Sequence, residues 1–159
     1  MYQFKPTRKN ARARVLVLSL FAAAAACFVL ASQLERLSVI PQSVGLVLLL
    51  PAIQLLSRFV VTQYLYRITP REGHAPDLEI FAYRGGSKMQ LVCRVGLDEI
   101  TALADLTDEN RKPPRAVRRH NYCVDLAPPD AVVLSIKNGD GECELLLTPD
   151  ATMRAMLKQ

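Results

Sequence analysis

The sequence lacks tryptophan, and it lacks the short signatures that mark a reactive centre. There is no Gly-x-Ser-x-Gly, no P-loop, no Gly-x-Gly-x-x-Gly and no Cys-x-x-Cys. Activated-serine chemistry, nucleotide cradling and paired-cysteine metal or redox sites therefore have no foothold in it. Charge is scarce where it would be expected in a water-soluble chain: from Val15 to Val61 the charged residues are Glu35, Arg36 and Arg58. Acids are missing from the first 14 residues, which hold Lys5, Arg8, Lys9, Arg12 and Arg14. Those five cations account for the whole formal net charge of +5, since the remainder carries 15 residues of each sign. A basic flank beside an apolar run orients a membrane helix, so the charge does not point to nucleic acid.

What is present is apolar length. Val15 to Ser32 is a run of 18 residues, near the lower limit for crossing a hydrocarbon core of about 30 Å. A cleaved signal has a shorter apolar region ending at a small-residue site, whereas this run continues through Phe28, Val29 and Leu30. Cys27 sits between the alanines at 22–26 and Phe-Val-Leu, a poor match to a lipidated cysteine. A second apolar run, 37–56, follows the polar connector Gln33-Leu34-Glu35-Arg36 and holds Pro41 and Pro51, which membrane helices tolerate better than soluble ones. Two spans, about 15–32 and 37–56, joined by a short turn make a helical hairpin. Both flanks are basic and the connector is neutral, which places residues 1–14, a basic tail, and the portion after residue 62 in the cytoplasm. The expected location is the inner membrane, multi-pass. Cys27, Ser43 and Gln54 within the runs mark no ion path.

From Gln63 the pattern alternates. Strands are predicted over 64–69, 78–84, 89–95, 100–106, 122–126, 131–137 and 142–148, separated by Gly-, Pro- and Asp-containing turns. "IKNGDGECELLL" is the sharpest hairpin signal and "RGGS" a second one. The last residues predict a helix over about 149–158, with Thr148 as N-cap and Pro149 at the first helical position. Seven antiparallel strands and a closing helix give a mostly-β domain, 63–159, arranged as a barrel.

The exit segment "YLYRIT", the stretch "LEIFAYRGGSKMQLVCRVGLDEI", "YCVDL" and "LLLTPDATMRAML" together resemble bacterial membrane proteins in which a transmembrane hairpin precedes a cytoplasmic pleckstrin-homology-like domain. The resemblance implies a membrane-anchored interaction module and brings no catalytic residues.

The most unusual soluble stretch is "RKPPRAVRRH", in which Arg111, Lys112, Arg115, Arg118 and Arg119 fall within nine residues around Pro-Pro. It is predicted to be a long loop between the fourth and fifth strands. It suits an anionic leaflet, where each nearby cation is worth about 1 kcal/mol, an acidic or phosphorylated partner held by arginine forks, or a solvated loop offset by Asp105, Asp108 and Glu109. His120 and Cys123 are too few, and in a strand too divergent, to hold a metal. Asp98 and Glu99 suit turn and capping roles. No cofactor, metal, nucleic acid or small-molecule substrate is expected. The expected partners are the bilayer, a protein or a second copy of the chain, in a non-enzymatic module or in an accessory subunit of a larger membrane transport or enzyme complex.

Overall fold

A computed structural model describes all residues except 9–10, 35–37, 86–87, 116, 139–140 and 159. Glu35 and Arg36 of the expected connector, and part of the two expected hairpin turns, thus lie outside the described residues. The chain divides into two compact units, one of Asn10–Thr62 and one of Met1–Lys9 with Gln63–Gln159.

The first unit is a pair of helices. Helix α1 runs Arg12–Gln33 and α2 runs Val39–Leu55, continuing through a π-helical turn, Leu56–Val61. Both stretches, Arg12–Gln33 and Val39–Val61, are long and apolar enough to cross a membrane. A core helix of a soluble protein would bury such a surface, yet only 17% and 11% of their most apolar windows are covered. What is covered forms a stripe of small residues: Ala13, Val17, Ala24 and Ala31 on α1, Gly45 and Ala52 on α2. Small side chains at two-turn spacing let helix backbones approach closely, which is how helices pack where no hydrophobic drive separates them from solvent. At Gly45 a β-carbon would stand 3.2 Å from the Phe28 ring and 3.3 Å from the Ala24 carbonyl oxygen. Hydroxyls are satisfied within the helices: Ser19 donates to Leu16 O at 2.8 Å, Ser32 to Val29 O at 2.7 Å and Ser43 to Val39 O at 2.8 Å. That internal satisfaction is what a medium without water requires.

The second unit is mostly β. Its described strands are β1 Tyr2–Phe4, β2 Thr62–Arg71, β3 His74–Arg84, β4 Gln90–Gly96, β5 Ile100–Asp105, β6 Arg118–Asn121, β7 Val132–Asn138 and β8 Gly141–Leu147, followed by helix α3, Ala151–Leu157. They form two four-stranded sheets, β1-β2-β3-β4 and β5-β7-β8-β6. The expectation of seven antiparallel strands in a barrel is corrected in three ways. There are eight described strands, the sheets are separate with no closed barrel, and β6 runs parallel to β8.

The core lies between the sheets. On β2 every second residue is buried, through Thr62, Tyr64, Tyr66 and Ile68, the two-residue period of a half-buried strand. Tyr64, Tyr66 and Ile68 meet Leu78 and Ile80 of β3, the β7 residues Val132, Leu134 and Ile136, the β8 residues Leu145 and Leu147, and Met153 and Leu157 of α3. Tyr66 is fully buried and donates its hydroxyl to Tyr122 O at 2.9 Å. The β2–β3 connection is the tight turn Glu72-Gly73, where Gly73 takes φ 72°, a left-handed conformation that disfavours other residues. The Asn138↔Gly141 pairing closes β7 on β8, the hairpin expected from Asn-Gly and Asp-Gly.

Three local expectations change. Residues 122–126 are irregular, with bends from Val124 onward, and do not form a strand, although Cys123, Val124 and Asp125 are all buried. The strand of this region is the polar Arg118–Asn121 instead. The cap of α3 is Asp150, whose Oδ1 accepts from the Met153 N–H at 2.9 Å, in place of Thr148.

Candidate functional site

The first residues, read from the sequence as a basic tail, contribute a strand. β1 pairs antiparallel with β2 as Tyr2↔Ile68, Gln3↔Arg67 and Phe4↔Tyr66. Lys5 then lies 5.1 Å from the centroid of the Tyr83 ring, a cation–π contact. Tyr2 also donates its hydroxyl to Asp150 Oδ2, and that carboxylate, as the stronger cause ahead of partial burial, raises the phenol's pKa. Nothing local in Met-Tyr-Gln-Phe announces a strand. Its partners lie more than sixty residues away, so sequence alternation could not have shown it.

The five cations of residues 111–119 divide into two kinds. Arg119 is structural. Its position on β6 is opposite Glu144 of β8, and the two side chains are only 10% and 12% exposed. Its Nε donates to Glu144 Oε2 at 2.8 Å, and Nη1 and Nη2 donate to the carbonyls of Arg111 and Asn110, each at 2.8 Å. One guanidinium therefore neutralises a half-buried carboxylate and pins the loop before β6 to its sheet. Its guanidinium is engaged by these internal partners. Arg111, Lys112, Arg115 and Arg118 are exposed. Arg111 pairs with Asp108 at 3.3 Å, with side chains 66% and 97% exposed, a geometry worth little. Arg118 belongs to β6 and not to a loop.

A small second apolar cluster, Cys123, Ala131, Val133 and Leu146 with Leu106 against it, lies outside the main core. Val133 and Leu146 are register partners on β7 and β8, so this is the outer face of the second sheet. Beside it lies a groove of about 410 Å³, lined by Leu106, Arg111, Pro113, Leu126, Ala127 and Pro128 together with Arg119, Asn121 and Leu146.

Other titratable groups have structural partners. Glu79 on β3 is buried, accepts from Thr69 Oγ1 at 3.2 Å and from Arg94 Nε at 3.0 Å, and Asp77 lies 3.9 Å from both Arg71 and Arg94. Glu99 accepts from the Gly96 N–H at 3.2 Å, the capping role read for the Asp98-Glu99 doublet. His120 is exposed and stacks on Tyr122 at 6.3 Å, while Cys123 is buried in the second cluster. Burial raises the Cys93 and Cys143 thiols above the ordinary range. Among the described residues no group of three or more His, Cys, Asp and Glu could hold a metal ion.

Comparison with protein-family models, with curated proteins and with solved structures finds no match to this chain.

Proposed function

We propose that the chain is a non-enzymatic interaction module, held in the inner membrane by α1 and α2, with its N-terminus and its pleckstrin-homology-like β unit both in the cytoplasm. In this reading the β unit binds a protein partner or anionic headgroups. The observation that carries it is the β1–β2 pairing. The chain leaves one folded unit before the first apolar helix and re-enters the same unit after the second. A pair of membrane-crossing helices whose two ends belong to one folded body must start and finish on one side. The basic flanks select the cytoplasmic side. The exposed Arg111, Lys112, Arg115 and Arg118 are the side chains that would meet an acidic partner, each contributing about 1 kcal/mol near an anionic leaflet.

The test is site-specific photocrosslinking from positions 115 and 118 in native membranes, beside binding of the purified full chain to anionic and zwitterionic nanodiscs. Crosslinks to a protein, or affinity that rises with anionic lipid and falls with salt, support the reading. Substrate turnover by the purified chain overturns it.

A further inference from the structure

The first sheet segregates its charge. No Asp or Glu occurs in residues 1–9, 62–71 or 80–97, which hold β1, β2, the end of β3 and β4. Asp77 and Glu79 of β3 lie toward the Glu72-Gly73 turn and are engaged by Arg71 and Arg94. At the opposite end the cations have no acid to meet. Lys5 and Arg67 rest instead on aromatic faces, 5.1 Å from the Tyr83 centroid and 4.8 Å from that of Phe81. Arg84 and Lys88 are exposed, and among the described residues no ion pair holds either. Beside them Met89 is 55% exposed, and Leu91, the register partner of Phe81, is 42% exposed. Cations set around exposed apolar and aromatic side chains suit a partner that is both anionic and amphipathic.

The path of the chain names that partner. β2 begins at Thr62, next in sequence to Val61, the last residue of the second apolar stretch. β3 lies beside β2 and returns from a two-residue turn, so its last residue, Arg84, stands at the end where β2 begins. With α1 and α2 in a membrane, this end of the sheet is leashed to the leaflet without a linker. A leash that short presents the leaflet at high effective concentration. The cytoplasmic leaflet is anionic and attracts cations held at its surface. We infer that this end of the first sheet docks on the anionic lipid leaflet, with Lys5, Arg84 and Lys88 facing phosphate groups and Met89 entering the boundary between headgroups and acyl chains. The inference rests on the reading of α1 and α2 as membrane spans, and it gives the β unit a lipid surface separate from the cations of residues 111–118.

The chain has no tryptophan, so one introduced at a chosen position reports on that position alone. The test uses three variants of the full chain: Met89→Trp, Glu72→Trp at the opposite turn, and Leu46→Trp on α2. Each is placed in nanodiscs of phosphatidylcholine, alone or with phosphatidylglycerol, whose acyl chains carry bromine. All three positions are exposed, and unchanged thermal melting verifies each fold. Bromine quenches a tryptophan that reaches the acyl region. Met89→Trp should lose about half its emission in the anionic discs, and far less in phosphatidylcholine alone or at high salt. Glu72→Trp should lose none. Adding Arg84→Glu and Lys88→Glu to Met89→Trp should abolish the dependence on anionic lipid. A Met89→Trp chain that is unquenched in anionic discs, or quenched equally in both kinds of disc, overturns the inference. So does a photocrosslinker at position 89 that captures a protein and no lipid in native membranes. In either case a quenched Leu46→Trp leaves the membrane spans standing, whereas an unquenched Leu46→Trp overturns the membrane reading itself.

Discussion

Tyr2 and Asp150, separated by 148 positions, are joined by a hydrogen bond from the phenol to the carboxylate, and the same carboxylate caps α3 through the Met153 N–H. One side chain thus ties the first strand to the last helix. Asp150→Ala should cost about 0.5–2 kcal/mol through the lost cap, and Asp150→Asn should retain most of that stability. Tyr2→Phe should leave α3 intact and speed amide exchange selectively over Tyr2–Phe4, with the β7–β8 amides unchanged. Hydrogen exchange with mass spectrometry reads both effects, and uniform acceleration across the domain in Tyr2→Phe would contradict the local role.

The basic cluster should split on mutation. Arg119→Ala strands a half-buried Glu144 and releases two loop carbonyls, so it should cost about 3–5 kcal/mol, the range for breaking a buried pair. Arg115→Ala and Lys112→Ala should stay within about 0.5 kcal/mol, as exposed substitutions do. Urea unfolding of the full chain in mild detergent separates them, and equal effects at 115 and 119 would refute the division.

That division also shows how far the sequence could be read. The apolar helices are legible from their uninterrupted apolar length, and β2 to β5, β7 and β8 from alternation or β-branched and aromatic content between turn residues. The role of Arg119 is not, because it depends on a parallel pairing with a strand that begins more than twenty residues later. "YCVDL" misleads for a related reason: Tyr122 and Val124 serve the main core while Cys123 serves the outer cluster. Its apolar residues look like one strand but pack in two places. The groove draws its lining from four separate stretches of chain, so no single window of sequence contains it.

Burial of Glu79 beneath Arg94 gives a third prediction. Arg94→Ala removes the guanidinium from a carboxylate that is only 6% exposed, leaving Thr69 as its remaining named donor. The expected loss is about 1.5–3 kcal/mol, the range for hydrogen bonds to a charged group. Arg94→Ala/Glu79→Gln should lose less than the sum of the single variants. Strict additivity in the thermal melts would show that the pair is not coupled.

Alkaline stability follows from groups whose protonated form the fold prefers. Burial raises the pKa of Tyr66, Cys93 and Cys143, and the Asp150 carboxylate raises that of Tyr2. The unfolded chain therefore releases these protons first, from the thiols near pH 9 and the phenols near pH 10. Their contribution is fully present below pH 9 and declines as pH climbs beyond it. Chemical unfolding from pH 7 to 11 should show a falling midpoint above pH 9, and a midpoint that rises there would contradict the assignment.

Helix pairing in the two-helix unit depends on Gly45. A β-carbon there meets the Ala24 carbonyl oxygen, which belongs to the backbone and cannot swing away, as well as the Phe28 ring. Gly45→Ile should separate α1 from α2, and Gly45→Ala should perturb the pair far less. Disulfide crosslinking between cysteines placed at the buried positions 17 and 52, in Gly45, Gly45→Ala and Gly45→Ile chains that lack Cys27 and with single-cysteine controls at 17 and at 52, reads the approach of the helices. Unchanged crosslinking between 17 and 52 in Gly45→Ile would show that the small-residue stripe is not the contact.

The account turns most directly on where the two ends of the chain lie. Met1 is 74% exposed, so an epitope can extend β1 from it without displacing Tyr2. Such a chain, carrying a green fluorescent protein or an alkaline phosphatase after Gln159, should be fluorescent in the first case and silent in the second, with the N-terminal epitope protected from protease in intact spheroplasts. Active phosphatase, or an epitope cleaved while the C-terminus stays protected, would put the two ends outside or on opposite sides and would contradict it.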